Sequence, residues 1–396
     1  MKRFGWILVV LMMAAPAWAA KKITVDQLKD LLVSMQQAKK TDAEVATALK
    51  QVELSEELTR TAMNSLVNYV PGPYSTEQIY VLEAKSAVLA PPATDIPATP
   101  APDAAAQKAL LDKAMDYATK TYAQLPRLTA TKTTLRFQDN VEAMKSSSGM
   151  HSSATYGDDP NLVSASQFVH YINAADSPVE LENGAEKLPT VKDKTPWGSN
   201  AQIALQGQGP VLTTVLQEAG DKLNFLRWET VNGKQAAVFA FAVDKKKTHY
   251  AVNYCCFPDT DQTGSLHYAM ATGTSGPGGS GPANTQAAAK GNLQTTTSWK
   301  NWKSTVPYHG EVFINPETGI VVRLVTQADF KTSDVVHQED QRIDYGPIAV
   351  GGKTLIVPVK NVINTEVVPN GDSGAGKYST RRTLFTVEYK DYQQAH

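Results

Sequence analysis

Apolar positions near the start of the chain recur at helical spacing. Val25, Leu28, Leu31, Leu32 and Met35 fall three and four residues apart, which predicts one amphipathic helix. Thr24 with Gln27 supplies an N-cap and its capping-box partner. Thr41 with Glu44 repeats that signature ahead of Val45, Ala48, Leu49 and Val52. Ser55 is the predicted cap of a third helix carrying Leu58, Ala62, Leu66 and Val67, which Val70-Pro-Gly-Pro73 stops. Ser75 with Gln78 opens a fourth, with Ile79, Leu82 and Leu89 on one face. Residues 20–90 therefore read as a helical module, either a small bundle or a docking unit.

Residues 91–104 are rich in proline and alanine, a composition that favours extended conformations and builds no core, so they read as a linker. Asp103 caps a further helix running to about Tyr122, with Leu110, Leu111, Ala114, Met115 and Ala118 along one side. Beyond Leu128 the period drops to two. Thr129 to Phe137 reads as a strand, 145–160 as a loop, Ser166 to Ile172 as a strand, and Asp176 to Trp197 as irregular. Pro210 to Ala219 reads as a short helix. Asn224 to Val231 and Gln235 to Val243 flank Asn232-Gly233, a strong hairpin signal. Thr248 to Phe257 follows and predicts a third strand of a meander. Residues 272–291 are Gly-rich and read as a flexible insertion.

After it come five short runs rich in β-branched and aromatic residues: Glu311–Asn315, Ile320–Val325, Gln341–Tyr345, Thr354–Lys360 and Thr383–Tyr389. Gly319 and the pair Gly351-Gly352 mark tight turns between them. The predicted fold class is α+β. The helical module precedes a large antiparallel sheet, residues 105–396, whose two halves join across the insertion into one sheet with covering helices. Phe239 and Val322 are expected in its core.

A chain of 396 residues with 42% hydrophobic content and a formal charge of −1 fits a globular protein of more than one domain. That balance offers no basic surface for nucleic acid. Residues 1–19 combine Lys2 and Arg3 with an apolar run from Gly5 to Ala15 and the small residues of Ala17-Trp-Ala19, which predicts a signal peptide cleaved after Ala19. The run is short for a membrane span, which needs ~20 apolar residues. An exported protein without a stable span, in a bacterial periplasm, is expected.

Chemistry is sparse. The seven histidines have no metal-ligand spacing, and no nucleophile motif or dinucleotide loop is complete, so no catalytic residue, metal or cofactor is expected. Cys255 and Cys256 are the only cysteines. They read as two reduced packing residues, a vicinal disulfide ending its strand, or an inter-chain bond. Strand alternation puts Phe239 and Phe241 on one face, and Tyr250 and Tyr254 on one face of the next strand. Core packing against a helix explains these aromatics; lining an apolar pocket for a lipid-like ligand is the sharper alternative.

Three pieces together resemble a family of exported bacterial proteins of uncharacterised activity: Thr76–Pro92, Trp228–Phe239, and Tyr308–Leu324 with Asp344-Tyr345 and Gly352 to Pro358. The β-part also resembles, more distantly, the LolA/RseB-like periplasmic half-barrel, in which a curved antiparallel sheet folds over helices and holds acyl chains. The resemblance implies a fold and hints at an apolar ligand. The expected function is non-catalytic binding of an apolar, lipid-like ligand or of another envelope protein. A structural envelope component that docks through the helical module is the alternative, and an exported hydrolase comes last.

Overall fold

The structure, a computed structural model, describes residues 21–138, 169–187, 209–258, 299–334, 336–367 and 382–395. The predicted leader, the 145–160 loop and the Gly-rich insertion lie outside them.

The chain begins with a short strand, β1 (Lys21–Ile23), then α1 (Val25–Gln37), α2 (Asp42–Lys50), β2 (Val52–Leu54), α3 (Arg60–Leu66) and α4 (Pro73–Lys85). Thr24 and Thr41 form the predicted capping boxes. Three expectations change. Val52 does not continue α2; it starts β2, which pairs in parallel with β1. Ser55 does not cap α3, because its N–H and hydroxyl donate to the Ile23 carbonyl at the end of that pair, and Thr59 caps instead. The fourth helix starts earlier than Ser75. Pro73 occupies its first turn, where its missing N–H costs nothing, and Asp42 of α2 takes the Tyr74 and Ser75 N–H groups at 2.9 Å each.

The 91–104 stretch is hydrogen-bonded to the sheet at two points. The Trp228 indole N–H donates to the Pro100 carbonyl at 2.9 Å and the Gln235 amide to Thr99 at 3.0 Å. It leads into α5 (Ala104–Lys120), capped by Asp103 as predicted. Then follow β3 (Leu128–Gln138), β4 (His170–Glu182), β5 (Ala185–Glu186), α6 (Leu212–Ala219), β6 (Asn224–Val231) and β7 (Lys234–Val243). β4 runs through Asp176, where the sequence read as irregular; its ladder with β3 continues from His170 to Leu181.

β8 (Ala251–Pro258) and β9 (Trp299–Thr305) pair only with each other among the described strands. The predicted three-stranded meander is therefore a two-stranded hairpin plus an excursion. The place beside β7 goes to β10 (Tyr308–Ile314), followed by β11 (Val321–Ala328), β12 (Val336–Val350), β13 (Lys353–Val367) and β14 (Arg382–Gln394). The described main sheet has ten strands in the order β5-β4-β3-β14-β13-β12-β11-β10-β7-β6, and every pairing is antiparallel. Both sequence halves do form one sheet. Gly319, Gly351 and Gly352 take positive φ at the predicted turns.

Helices cover both faces. On the front face, Leu110, Ala114 and Ala118 of α5 and Leu212, Val215, Leu216 and Ala219 of α6 pack on Ala237, Phe239, Phe241, Val312, Ile314 and Leu324. On the back, Val81, Ala84 and Ala87 meet Phe137, Val362 and Leu384. Phe239 is fully buried in front, whereas Val322 is half-buried in the back-face cluster beside a register shift between β10 and β11. No helix of the described residues is long and apolar enough to cross a membrane.

The back face also carries a charged layer. Arg342 pairs with Glu57 and with Asp344, and Arg323 with Asp344 at 2.6 Å and Glu229 at 3.5 Å. Arg227 joins Glu229 to Glu311 at 2.7 and 2.8 Å. Burial opposes the charge on Asp344, yet the two guanidiniums hold its carboxyl well below the usual range. Glu57 belongs to the helical module, so this network ties the module to the sheet.

Candidate functional site

Three of the four aromatics singled out from strand alternation, Phe239, Phe241 and Tyr250, come together in the front-face core. Phe239 stands edge-on to Phe225 with ring centres 5.7 Å apart, Phe241 edge-on to Tyr308 at 5.8 Å, and Tyr250 edge-on to Tyr308 at 5.5 Å. Their exposures are 0%, 4% and 4%. These three are part of the core that α5 and α6 cover. Tyr254 lies opposite Trp302 in the β8–β9 ladder, and Cys255 and Cys256 fall at the register shift between Tyr254 and Phe257. The side chains of Tyr254, Cys255 and Cys256 lie outside the described residues.

A second part of the front face has a different character. Register places Glu339, Thr365, Thr383 and Gln138 directly opposite one another across β12, β13, β14 and β3. All four are buried. The next front-facing row is Gln341, Ile363, Phe385 and Arg136, and the row after that Ile343, Asn361, Val387 and Thr134. Ile363, Phe385 and Val387 make an apolar band that contains strand residues alone. Polar groups flank it on both sides.

The first flank is the row itself. The Thr365 hydroxyl donates to Glu339 at 3.0 Å, and Arg136 donates to the Gln138 side-chain amide oxygen at 2.7 Å. The Arg136 guanidinium stands 6.0 Å from the Phe385 ring centre. Burial raises the Glu339 carboxyl to about 8, against the Thr365 hydrogen bond and with help from the Asp340 charge. At neutral pH it is therefore a neutral acid that can donate a hydrogen bond. The Gln138 amide nitrogen is buried without a partner among the described residues.

The other flank is a small pocket of about 40 Å³ between α6, the β4–β5 turn and the sheet, with Tyr122, Glu186, Gln341, Tyr345, Asn361 and Tyr389 among its walls. Lys132 forms a buried pair with Glu186 at 2.8 Å, and the Tyr389 hydroxyl donates to the same carboxylate at 3.0 Å. The Tyr122 hydroxyl donates to the Gly184 carbonyl at 2.8 Å, and the Gly209 N–H to Gln341 at 2.7 Å. Burial pushes the Tyr122 and Tyr389 hydroxyls well above their ordinary range, so both stay protonated. The Asn361 side-chain oxygen is buried with no partner among the described residues.

The arrangement offers hydrogen-bonding groups on either side of an apolar band, which suits binding. Among the described residues no group of three His, Cys, Asp or Glu could hold a metal. Sequence reasoning missed these residues because polar positions on a strand read as the solvent face. The signal that could have found them is Lys132, Thr134, Arg136 and Gln138 alternating with Leu135 and Phe137, since a strand buried on both faces keeps such polar residues only with partners. Comparison with family models, with curated proteins and with solved structures returned no match.

Proposed function

We propose that this is a non-catalytic, exported binding protein of the LolA-like half-barrel type. It holds an apolar, lipid-like ligand with a polar group against the front face of its sheet. The observation that carries this reading is the band of Ile363, Phe385 and Val387 flanked by the Glu339–Gln138 row and the Asn361 pocket. An amphiphile lays its chain on such a band and its polar atoms on the flanks. Ile363, Phe385 and Val387 are as buried as Phe239, Phe241 and Tyr250, at 2%, 2% and 0% exposed, but their cluster contains strand residues alone, whereas α5 and α6 pack on the other three. The test is saturable uptake of a fluorescent fatty acid, weakened at least tenfold by Val387→Thr with the circular dichroism unchanged. Absence of saturable uptake, together with no lipid co-purifying from the native envelope, overturns the reading.

A second reading rests on α4. Tyr74 and Tyr80 are 66% and 45% exposed on that helix, which favours an envelope component docking through its helical module. Loss of partner recruitment in the Tyr74→Ser, Tyr80→Ser double variant, with fatty-acid uptake absent in the parent, selects it.

A further inference from the structure

The pocket beside Asn361 has a hydrogen-bonding balance that specifies what it can take. Three of its donors are committed. Tyr122 gives its proton to the Gly184 carbonyl, Tyr389 to Glu186, and the Gly209 N–H goes to Gln341. Its one buried acceptor without a partner among the described residues is the Asn361 oxygen. Leaving such an oxygen unpaired is costly, so a donor that reaches it is favoured.

Charge narrows the choice. Lys132 sits against both Glu186 oxygens, at 2.8 and 3.1 Å, so the pair is locally neutral. A cation entering here loses its hydration without meeting a free negative charge, and an anion finds the Lys132 charge already paired with Glu186. A neutral donor fits. Size narrows it further: about 40 Å³ holds roughly three or four water-sized groups, at the ~10–15 Å³ each one needs. The tyrosine hydroxyl oxygens keep lone pairs, so a group that both donates and accepts gains most.

We infer that this pocket takes alcohol hydroxyls, and that the ligand carries a polyol head which donates to the Asn361 oxygen while its chain lies along Ile363, Phe385 and Val387. This rests on the proposed binding function and adds the head group. The same chemistry comes from an acylated glycerol or from a free polyol.

The experiment compares 1-monooleoylglycerol, methyl oleate and glycerol by titration calorimetry on the full mature chain. Monooleoylglycerol should bind at least tenfold more tightly than methyl oleate, which has the same chain and no hydroxyl. Asn361→Val should erase that difference by weakening monooleoylglycerol to the level of methyl oleate. Tyr389→Phe keeps the ring, removes a hydroxyl lone-pair site, and should narrow the difference even if Asn361→Val fails to fold. Equal affinity for the two oleoyl compounds overturns the head-group inference, the pocket then holding water only, and leaves the binding function standing. Glycerol binding that depends on Asn361, with neither oleoyl compound binding, supports the hydroxyl site and overturns the lipid-like reading. No binding of any of the three overturns both.

Discussion

Arg342 of β12 pairs with Glu57, a residue 285 positions earlier in the chain. Both are nearly inaccessible, and the Asp344 carboxylate lies on the other side of the guanidinium. Removing Glu57 strips the buried Arg342 of one of its two carboxylate partners and leaves Asp344 alone to offset it. Glu57→Ala should cost about 1–3 kcal/mol, and the double variant Glu57→Met, Arg342→Met should recover most of that loss. Urea denaturation checks both. Because the pair joins module and sheet, parental unfolding followed by helix content and by tryptophan fluorescence should give one coincident transition.

Gly184 closes the β4–β5 turn at φ +75°, and an added Cβ there would come within 2.4 Å of the Tyr122 ring. Both the backbone and the space exclude a side chain. Gly184→Ala should destabilise by about 1–3 kcal/mol and should displace Tyr122 from the pocket wall. The expected readout is a lower denaturation midpoint with an unchanged m-value.

Glu339 makes stability depend on pH. The folded chain keeps its proton up to about pH 8, whereas the unfolded chain loses it near the ordinary 4.5. Between those values the folded state binds more protons, so this contribution is fully present below the unfolded value and is lost as pH rises towards the folded one. The slope is at most about 1.4 kcal/mol per pH unit. Glu339→Gln should flatten the decline in stability between pH 5 and 8. Parallel urea titrations of parent and variant at four pH values measure it, and identical slopes would count against a neutral Glu339.

Phe239 packs at the centre of the front-face core with no exposed surface. Phe239→Ala should cost about 3–5 kcal/mol. An unchanged unfolding midpoint would mean that the face points to solvent.

Local signals carried much of the fold. Thr24, Thr41 and Asp103 cap where their side chains predict, because a cap depends on neighbours within three residues. Asn232-Gly233 closes the β6–β7 hairpin, with both residues at positive φ. What was not legible depends on distant partners. β1 and β2 are three residues each, too short to show a period, and exist by pairing with one another. β8 follows β7 in sequence, yet β10 wins the place beside β7, where Tyr308, Val312 and Ile314 share the face of Phe239 and Phe241. The candidate site was the least legible part. Gln138, Thr365 and Thr383 look like solvent-facing strand residues until the register sets them side by side with Glu339.

That pairing of β7 with β10 makes the intervening chain separable. Val243 and Tyr308 stand directly opposite each other, so the chain leaves the sheet and returns at neighbouring points. Opposed strand residues are about 5 Å apart, a gap a two-residue turn spans. Residues 244–307 can therefore be replaced by a tight turn that converts β6, β7 and β10 into an uninterrupted meander. The core would lose only the side chains the excursion lends it, Tyr250, Val252 and Val306 among the described residues. The sheet is thus a frame with an insertion at this junction, joined to the core through Tyr250, Val252 and Val306.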